Sequence, residues 1–224
     1  MSGDGGDRSD RPSLRVLIAA GGSGGHVFPG VALARALKEY DPNSVVHFAG
    51  TSRGLETRAI PEAGFPLELL PILPLFRRPS VATVAAPFAA VWSALAAMRL
   101  VRRESFDVVC GMGAYVSLPV AVGAWWAGVP VIVHEQNAVP GLANRLAARV
   151  ARTVALGFDE ASAALPVPSE RMVVVGNPIR PELARLDRGW HCGTGRWRPS
   201  SWTRGAAPCW CSVGATAPNP STRR

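Results

Sequence analysis

Residues 14–30 read LRVLIAAGGSGGHVFPG, and this segment is the most informative one for the fold of the chain. It starts with the apolar run 14–20, which is typical of a strand buried on both faces of a sheet. The glycine-rich segment 21–26 follows at once, and a helix is predicted to begin through Phe28-Pro29-Gly30. Glycines let backbone N–H groups approach an anion closely, and a helix N-terminus adds a partial positive charge. The stretch therefore predicts a strand, an anion-binding turn and a helix.

Six further apolar runs repeat this pattern, separated by segments rich in Ala, Leu and Arg that have helical character. The runs lie at residues 45–49, 67–70, 108–110, 129–133, 153–156 and 172–175. Continuous apolar strands that alternate with helices predict a parallel sheet covered on both faces, with right-handed crossovers. The predicted fold class is therefore a doubly wound, Rossmann-like α/β domain.

Ligands of such sheets bind beyond the carboxyl ends of the strands, so the loops there are the candidate site. Four stand out, and they are GGSGGH at 21–26, GMGAY at 111–115, HEQN at 134–137 and GNPIR at 176–180. The second is predicted to enter a helix at Ser117. Two glycine loops at one edge suggest an extended or doubly charged ligand, although each alone is also explained as a tight turn. Arg180 could bind a diphosphate or be an ordinary surface arginine.

The class of nucleotide is narrowed by what the first loop lacks. Val27 stands where the dinucleotide fingerprint needs its last glycine, and no Lys-Ser/Thr pair of a P-loop follows. Residues 45–51 offer no acidic partner for a ribose. A nucleotide-diphosphate ligand is therefore favoured over a nicotinamide cofactor.

Positive charge is spread unevenly along the chain. The 224 residues include 24 Lys and Arg against 16 Asp and Glu, a formal net charge of +8. Six of the arginines follow Asp187, so residues 1–187 carry 18 basic and 16 acidic side chains. A strongly basic protein suggests nucleic acid as a partner, but the nearly balanced body of this chain does not, and none is expected.

Residues 188–224 differ from the body in composition. They lack Leu, Ile, Phe, Met and Tyr, yet they hold four of the seven Trp and three of the four Cys. His191, Cys192, Cys209 and Cys211 form too loose a set for us to expect a zinc site. A shifted reading frame forces Leu-Val and then permits Gly-Gly-Ser near residues 209–214, although coincidence would also explain this. We predict a disordered leader at 1–12, a folded domain at 13–187 and an out-of-frame tail at 188–224.

Five segments in this order resemble the MurG family of peptidoglycan glycosyltransferases. They are GGSGGHVFPG at 21–30, GTSRGLE at 50–56, GMGAYVSLP at 111–119, HEQNAVPGLA at 134–143 and GNPIR at 176–180. The family transfers N-acetylglucosamine, with inversion, from UDP-N-acetylglucosamine to the C4 hydroxyl of undecaprenyl-diphosphate-MurNAc-pentapeptide (lipid I), giving lipid II. The resemblance implies a GT-B fold of two Rossmann-like domains, of which the N-terminal one is expected here and the C-terminal one is missing.

The resemblance also implies roles for single residues. Contacts to the UDP-N-acetylglucosamine donor are expected from Ser23, Gly24, Gly25, Asn137 and Arg180. The acceptor side is expected to include Gly22, His26, Gly113, Tyr115 and Asn137. His26 and Glu135 are the predicted catalytic residues, with His26 as the base that takes the hydroxyl proton. Alternatively, His26 hydrogen-bonds the loop or the acceptor diphosphate. No metal and no cofactor are expected.

A lipid-linked acceptor implies contact with a membrane. No signal peptide is expected, since residues 1–12 lack a cationic segment followed by an apolar one. The uncharged stretches 79–98 and 108–133 are rich in alanine or broken by Gly and Pro. A membrane patch is predicted from Leu75, Phe76, Arg77, Arg78, Phe88 and Trp92, because an apolar face with a basic rim suits an anionic inner leaflet. Packing against the sheet is the alternative for Phe88 and Trp92. The expected location is peripheral, on the cytoplasmic side of the cell membrane.

Two functions remain open at this point. The first is the transferase itself, weakly active or inactive because the donor half is missing. The second is a non-catalytic fragment that binds the membrane or the lipid acceptor.

Overall fold

The computed structural model describes residues 13–72 and 81–179, except for the side chains of 81–87. All of them belong to the first of the two units into which the chain divides, Met1–Leu186. Within these residues seven strands form one sheet. The strands are β1 Arg15–Ala19, β2 Val45–Gly50, β3 Leu67–Leu69, β4 Val108–Gly111, β5 Val131–Glu135, β6 Thr153–Leu156 and β7 Met172–Val174.

The sheet has the order β3-β2-β1-β4-β5-β6-β7, and every neighbouring pair is parallel. The predicted doubly wound fold is therefore confirmed, and each predicted strand is present with its ends shifted by at most two residues. One shift changes the site, because His134 and Glu135 are the last residues of β5 and not the start of the loop after it. Their side chains are consequently placed by the sheet.

Five α-helices cover the two faces of the sheet. They are α1 Gly24–Tyr40, α2 Glu56–Glu62, α3 Val81–Arg103, α4 Ala114–Ala127 and α5 Leu142–Val150. Along β1 the side chains alternate, so that Val16 and Ile18 lie in a core with α1 and α2. Leu17 and Ala19 point the other way and lie in a core with α3, α4 and α5. Fully buried apolar side chains such as Leu17 each contribute about 1.5–3 kcal/mol to stability.

Two helix starts differ from the prediction. α1 begins at Gly24 and not at Phe28, and α4 begins at Ala114 and not at Ser117. Glycine and proline predict helix boundaries because they disfavour helix interiors, but here Pro29 and Pro119 both lie inside the helices. Each proline is the sixth residue of its helix, so the hydrogen bond it removes lies close to the N-terminal end. The glycine loops therefore supply the first helical turns themselves.

Several predictions fall on residues outside the described part of the chain. These are the leader, the tail, Arg180 and the patch residues Leu75, Phe76, Arg77 and Arg78. Across residues 13–72 and 81–179, no helix combines the length and the apolar character needed to cross a bilayer.

Candidate functional site

The candidate site lies at the switch point of the sheet, where chain connections diverge to either side of the neighbouring strands β1 and β4. The two glycine loops meet there. A Cβ on Gly22 would lie 3.4 Å from the ring of Tyr115. His26, in the first turn of α1, is hydrogen-bonded to the carbonyl of Met112, the residue that follows β4 in the chain. The prediction that both glycine loops share one edge of the sheet is confirmed.

A buried carboxylate that the sequence analysis left without a role holds the first loop in place. Glu56, which is fully buried, accepts a hydrogen bond from the Gly22 N–H at 2.9 Å and one from the Thr51 hydroxyl at 2.8 Å. A side chain on Gly21 would collide with this carboxylate, which explains the glycine there. The signal in the sequence was an acidic residue at the end of the GTSRGLE segment.

The second glycine loop is fixed by Ser117, which the sequence analysis had taken only as a helix start. Its buried hydroxyl accepts a hydrogen bond from the Gly113 N–H at 2.7 Å and lies 3.2 Å from the carbonyl of Ala19 at the end of β1. Gly113 has a φ of +101°, and a Cβ there would lie 2.8 Å from Nδ1 of His26. The loop therefore needs glycine both for its backbone and for the approach of the imidazole.

A chain of hydrogen bonds joins His26 to the far loop of the site. Nδ1 of His26 lies 2.9 Å from the Met112 carbonyl oxygen and 3.1 Å from Oε1 of Gln136. Nε2 of Gln136 lies 3.0 Å from Nδ1 of His134, and Nε2 of His134 lies 3.0 Å from the Gly176 carbonyl oxygen. We call this the imidazole relay.

The two carbonyl oxygens at its ends decide the protonation of the imidazole relay. A carbonyl only accepts, so Nδ1 of His26 and Nε2 of His134 both carry hydrogen. The Gln136 amide then donates to Nδ1 of His134 and accepts from His26, and every donor meets an acceptor. His26 is thereby held in the tautomer with its lone pair on Nε2. Burial lowers the pKa of His134 below its ordinary value, against the opposing effects of the Gly176 carbonyl and the Glu135 charge.

Glu135 organises the loop that follows β5. It is buried, and its Oε1 accepts hydrogen bonds from both the backbone N–H and the side-chain amide of Asn137, each at 2.9 Å. Its Oε2 accepts from the Asn144 side-chain amide at 2.9 Å and from the Gly141 N–H at 3.3 Å. The carboxylate thus uses its whole acceptor capacity on the loop after β5 and on Asn144 in α5. Its catalytic role stays a prediction.

The predicted ligand-contacting residues fall on connected surfaces of this edge. Ser23, Gly24 and Gly25 form the start of α1, where the first N–H groups of a helix have no partner within the helix. The exposed Asn137 lies in the loop that Glu135 holds. The hydroxyls of Tyr115 and Thr51 lie 3.3 Å apart. The assignment of these residues to the donor or to the acceptor stays a prediction.

The chemistry available here is that of anion binding and proton transfer. Two helix N-termini and a glycine loop provide backbone donors for phosphate groups, and one imidazole is oriented by a buried relay. Among the described residues, no group of three or more His, Cys, Asp or Glu side chains is placed to hold a metal ion.

Comparison with known proteins identifies the family of the chain. The sequence pattern described as the glycosyltransferase family 28 N-terminal domain matches residues 16–156. A Nocardioides protein named UDP-N-acetylglucosamine–N-acetylmuramyl-(pentapeptide) pyrophosphoryl-undecaprenol N-acetylglucosamine transferase is 45% identical over 175 residues, which cover 78% of this chain and 46% of that protein. The protein of the same name from Moorella thermoacetica is also 45% identical, with 78% of this chain and 47% of that protein covered.

Solved structures agree with the sequence comparison. The crystal structure of MurG from Acinetobacter baumannii is 32% identical and matches with a TM-score of 0.61, covering 72% of this chain and 45% of that one. The predicted resemblance to the MurG family is confirmed. The chain spans about half the length of the relatives it matches. It belongs to glycosyltransferase family 28, and residues 16–156 match the N-terminal domain of that family.

Proposed function

We propose that this chain is the acceptor-side half of an N-acetylglucosaminyltransferase that converts lipid I into lipid II with UDP-N-acetylglucosamine as donor. The observation that carries the proposal is the imidazole relay, which presents the Nε2 lone pair of His26 where two glycine loops meet. The names of the relatives supply the substrates, because those proteins are described as transferring N-acetylglucosamine to an undecaprenol-linked acceptor.

In this reaction the C4 hydroxyl of the acceptor attacks C1 of the sugar while UDP leaves. His26 acts as the base, since Nδ1 keeps its proton on the Met112 carbonyl and Nε2 takes the hydroxyl proton. General bases of this kind contribute about 10²–10⁴-fold to rate. The bond from C1 to the acceptor oxygen forms as the bond from C1 to the UDP oxygen breaks, which inverts the anomeric centre.

Negative charge develops on the departing diphosphate and has to be stabilised. Gly24 and Gly25 offer backbone N–H groups at the positive end of α1 to phosphate oxygens, and Ser23, whose N–H donates to the Gly21 carbonyl, offers its hydroxyl. Asn137 contributes its amide, and Arg180 is proposed as a further donor contact although it lies outside the described residues. Gly22, Gly113 and Tyr115 form the acceptor side. In this scheme Glu135 positions Asn137 and does not itself exchange a proton.

An anionic membrane surface is the proposed location of the reaction, on the cytoplasmic side. Phe88 and Trp92 on α3 are 79% and 60% exposed, and the guanidinium of Arg99 lies 5.9 Å from the Trp92 ring centre. Exposed aromatic side chains with a nearby cation suit the boundary between headgroups and acyl chains. No nucleic-acid partner is proposed.

The test is transfer of radiolabelled N-acetylglucosamine to lipid I by two proteins. One is this chain alone, and the other is residues 1–187 joined to the C-terminal half of the Nocardioides relative. We expect turnover by the joined protein and little or none by the chain alone, which then is an acceptor- and membrane-binding fragment. An inactive joined protein that is folded and binds UDP-N-acetylglucosamine would refute the proposal.

The base is tested in the joined protein with two histidine variants. We expect His26→Gln to lower kcat by about 10²-fold or more, because the proton acceptor is removed. The control is His47→Gln, since His47 lies in β2 beside Glu68 and away from both glycine loops. Equal kcat values for His26→Gln and the unaltered protein would rule out the base assignment.

A further inference from the structure

A cavity of about 620 Å³ adjoins the site on the side of α3. One part of its lining is polar and the other part is apolar. Thr51, Ser52, Arg53 and Tyr115 supply hydroxyls and a guanidinium, whereas the segment after β3 and helix α3 supply mainly apolar side chains. The volume lies within the range of about 300–1,000 Å³ that is usual for small-molecule sites. A cavity lined in this way fits an amphiphile and not a purely polar ligand.

The polar lining is continuous with the glycine loops. The Thr51 hydroxyl lies 3.3 Å from the Tyr115 hydroxyl and donates to Glu56, whose other oxygen accepts from the Gly22 N–H. Tyr115 lies in the first turn of α4, which the second glycine loop enters. One ligand could therefore contact both the glycine loops and the cavity. Arg53 adds a positive charge suited to a phosphate group.

The apolar lining is formed by Leu70 and Ile72 after β3 and by Phe88 and Trp92 on α3. These two parts of the fold are tied together by Ser93, whose hydroxyl donates to the Pro71 carbonyl at 2.6 Å. The hydroxyl also lies 2.8 Å from the Ala89 carbonyl one turn back in α3. The distance between the two apolar walls is thus held by a hydrogen bond within the fold.

We propose that this cavity binds the part of the acceptor's polyprenyl chain that lies next to its diphosphate. This inference rests on the proposed function for the identity of the acceptor. Arg53 and the glycine loops would contact the diphosphate, and the first isoprene units would lie between Ile72 and Trp92. A protein that only rested on a bilayer would need an apolar surface, but not an apolar cavity that leads to an anion-binding loop.

The experiment measures binding to the 224-residue chain by calorimetry, without donor and without membranes. The probes are farnesyl diphosphate, kept below its aggregation concentration, and inorganic diphosphate. We expect farnesyl diphosphate to bind at least tenfold more tightly, because only it fills the apolar part of the cavity. Equal affinities for the two probes would overturn the proposal.

Two neighbouring alanines give a matched pair of variants. Ala89 lines the cavity and Ala90, the next residue of α3, is exposed and does not. Ala89→Phe should reduce the affinity for farnesyl diphosphate to that for inorganic diphosphate, while Ala90→Phe should leave it unchanged. A similar loss in both variants, or in neither, would contradict the cavity as the binding site.

Two further measurements separate the cavity from folding defects and from the membrane. Arg53→Gln alters an exposed side chain, and it should weaken binding of both diphosphates severalfold. Ala89→Phe should co-sediment with phosphatidylglycerol vesicles to the same extent as we expect for the unaltered chain. Unchanged diphosphate binding in Arg53→Gln, or vesicle binding lost in Ala89→Phe, would refute the proposal. Farnesyl diphosphate binding alongside an inactive joined protein would instead refute only the proposed transferase.

Discussion

Replacing Glu135 by glutamine should lower the free energy of unfolding of this domain far more than such a small chemical change suggests. Each carboxylate oxygen accepts two hydrogen bonds, from Asn137 on one side and from Gly141 and Asn144 on the other. Whichever oxygen becomes an amide NH2 group then faces two donors, so two bonds to a charged acceptor are lost. At about 1.5–3 kcal/mol each, the loss is about 3–6 kcal/mol. That is a large share of the roughly 5–15 kcal/mol that holds a typical domain folded.

Urea unfolding followed by circular dichroism measures this change, and Glu62→Gln is the control. Glu62 undergoes the same replacement on the exposed face of α2, where its partner Arg58 is also exposed and solvent screens the pair. We expect a marked fall in the unfolding midpoint for Glu135→Gln and almost none for Glu62→Gln. Similar midpoints for both variants would refute the argument that the β5 loop is held by this carboxylate.

Three other predictions concern buried positions. Gly123→Ala should destabilise the fold by about 1–3 kcal/mol and lower the melting temperature, because the new Cβ would collide with the Ala94 carbonyl of α3. The control is Gly141→Ala, whose Cβ would meet nothing within 4 Å and which should leave the melting temperature unchanged. The lowered pKa of His134 means that the folded state favours the neutral imidazole. The free energy of unfolding should therefore fall as the pH drops below about 6.5. In urea titrations between pH 7 and 5, this free energy should depend less steeply on pH in His134→Gln than in the unaltered chain. Burial raises the pKa of Cys110 to about 12, so its thiol carries almost no reactive thiolate at pH 8. Mass spectrometry should therefore find the peptide containing Cys110 unmodified by iodoacetamide at this pH until the protein is denatured.

Most of the fold prediction was based on the alternation of apolar runs with helical segments along the chain. The strands were found because parallel strands covered on both faces need continuous apolar runs, and such runs are visible without any tertiary information. The helix starts were misplaced because the first turns of α1 and α4 contain glycine and proline, which disfavour helices locally. The sheet and the helices packed on it outweigh that local preference, so the true starts at Gly24 and Ala114 could not be read from propensity.

The candidate site also contains residues that could be predicted from the sequence and residues that could not. His26, Glu135 and Asn137 could be predicted as site residues because polar side chains at the carboxyl ends of buried strands are often site residues. The roles of Glu56, Ser117 and Gln136 were missed, because each side chain acts on a partner between 4 and 110 positions away along the chain. Glu135 was predicted to be catalytic, and that role stays a prediction. The structure adds its four hydrogen bonds to the loop after β5 and to Asn144 in α5.

The fold class, the family and the edge of the sheet that carries the candidate site could be inferred from the sequence, because they depend on residue type and order along the chain. The tautomer of His26, the carboxylates that hold loops and the place where an apolar cavity meets the glycine loops became visible in the folded chain alone. Those properties arise when strands distant in sequence become neighbours in the sheet. A hydrogen bond between His26 and Gln136 exists only because β1, β4 and β5 lie side by side.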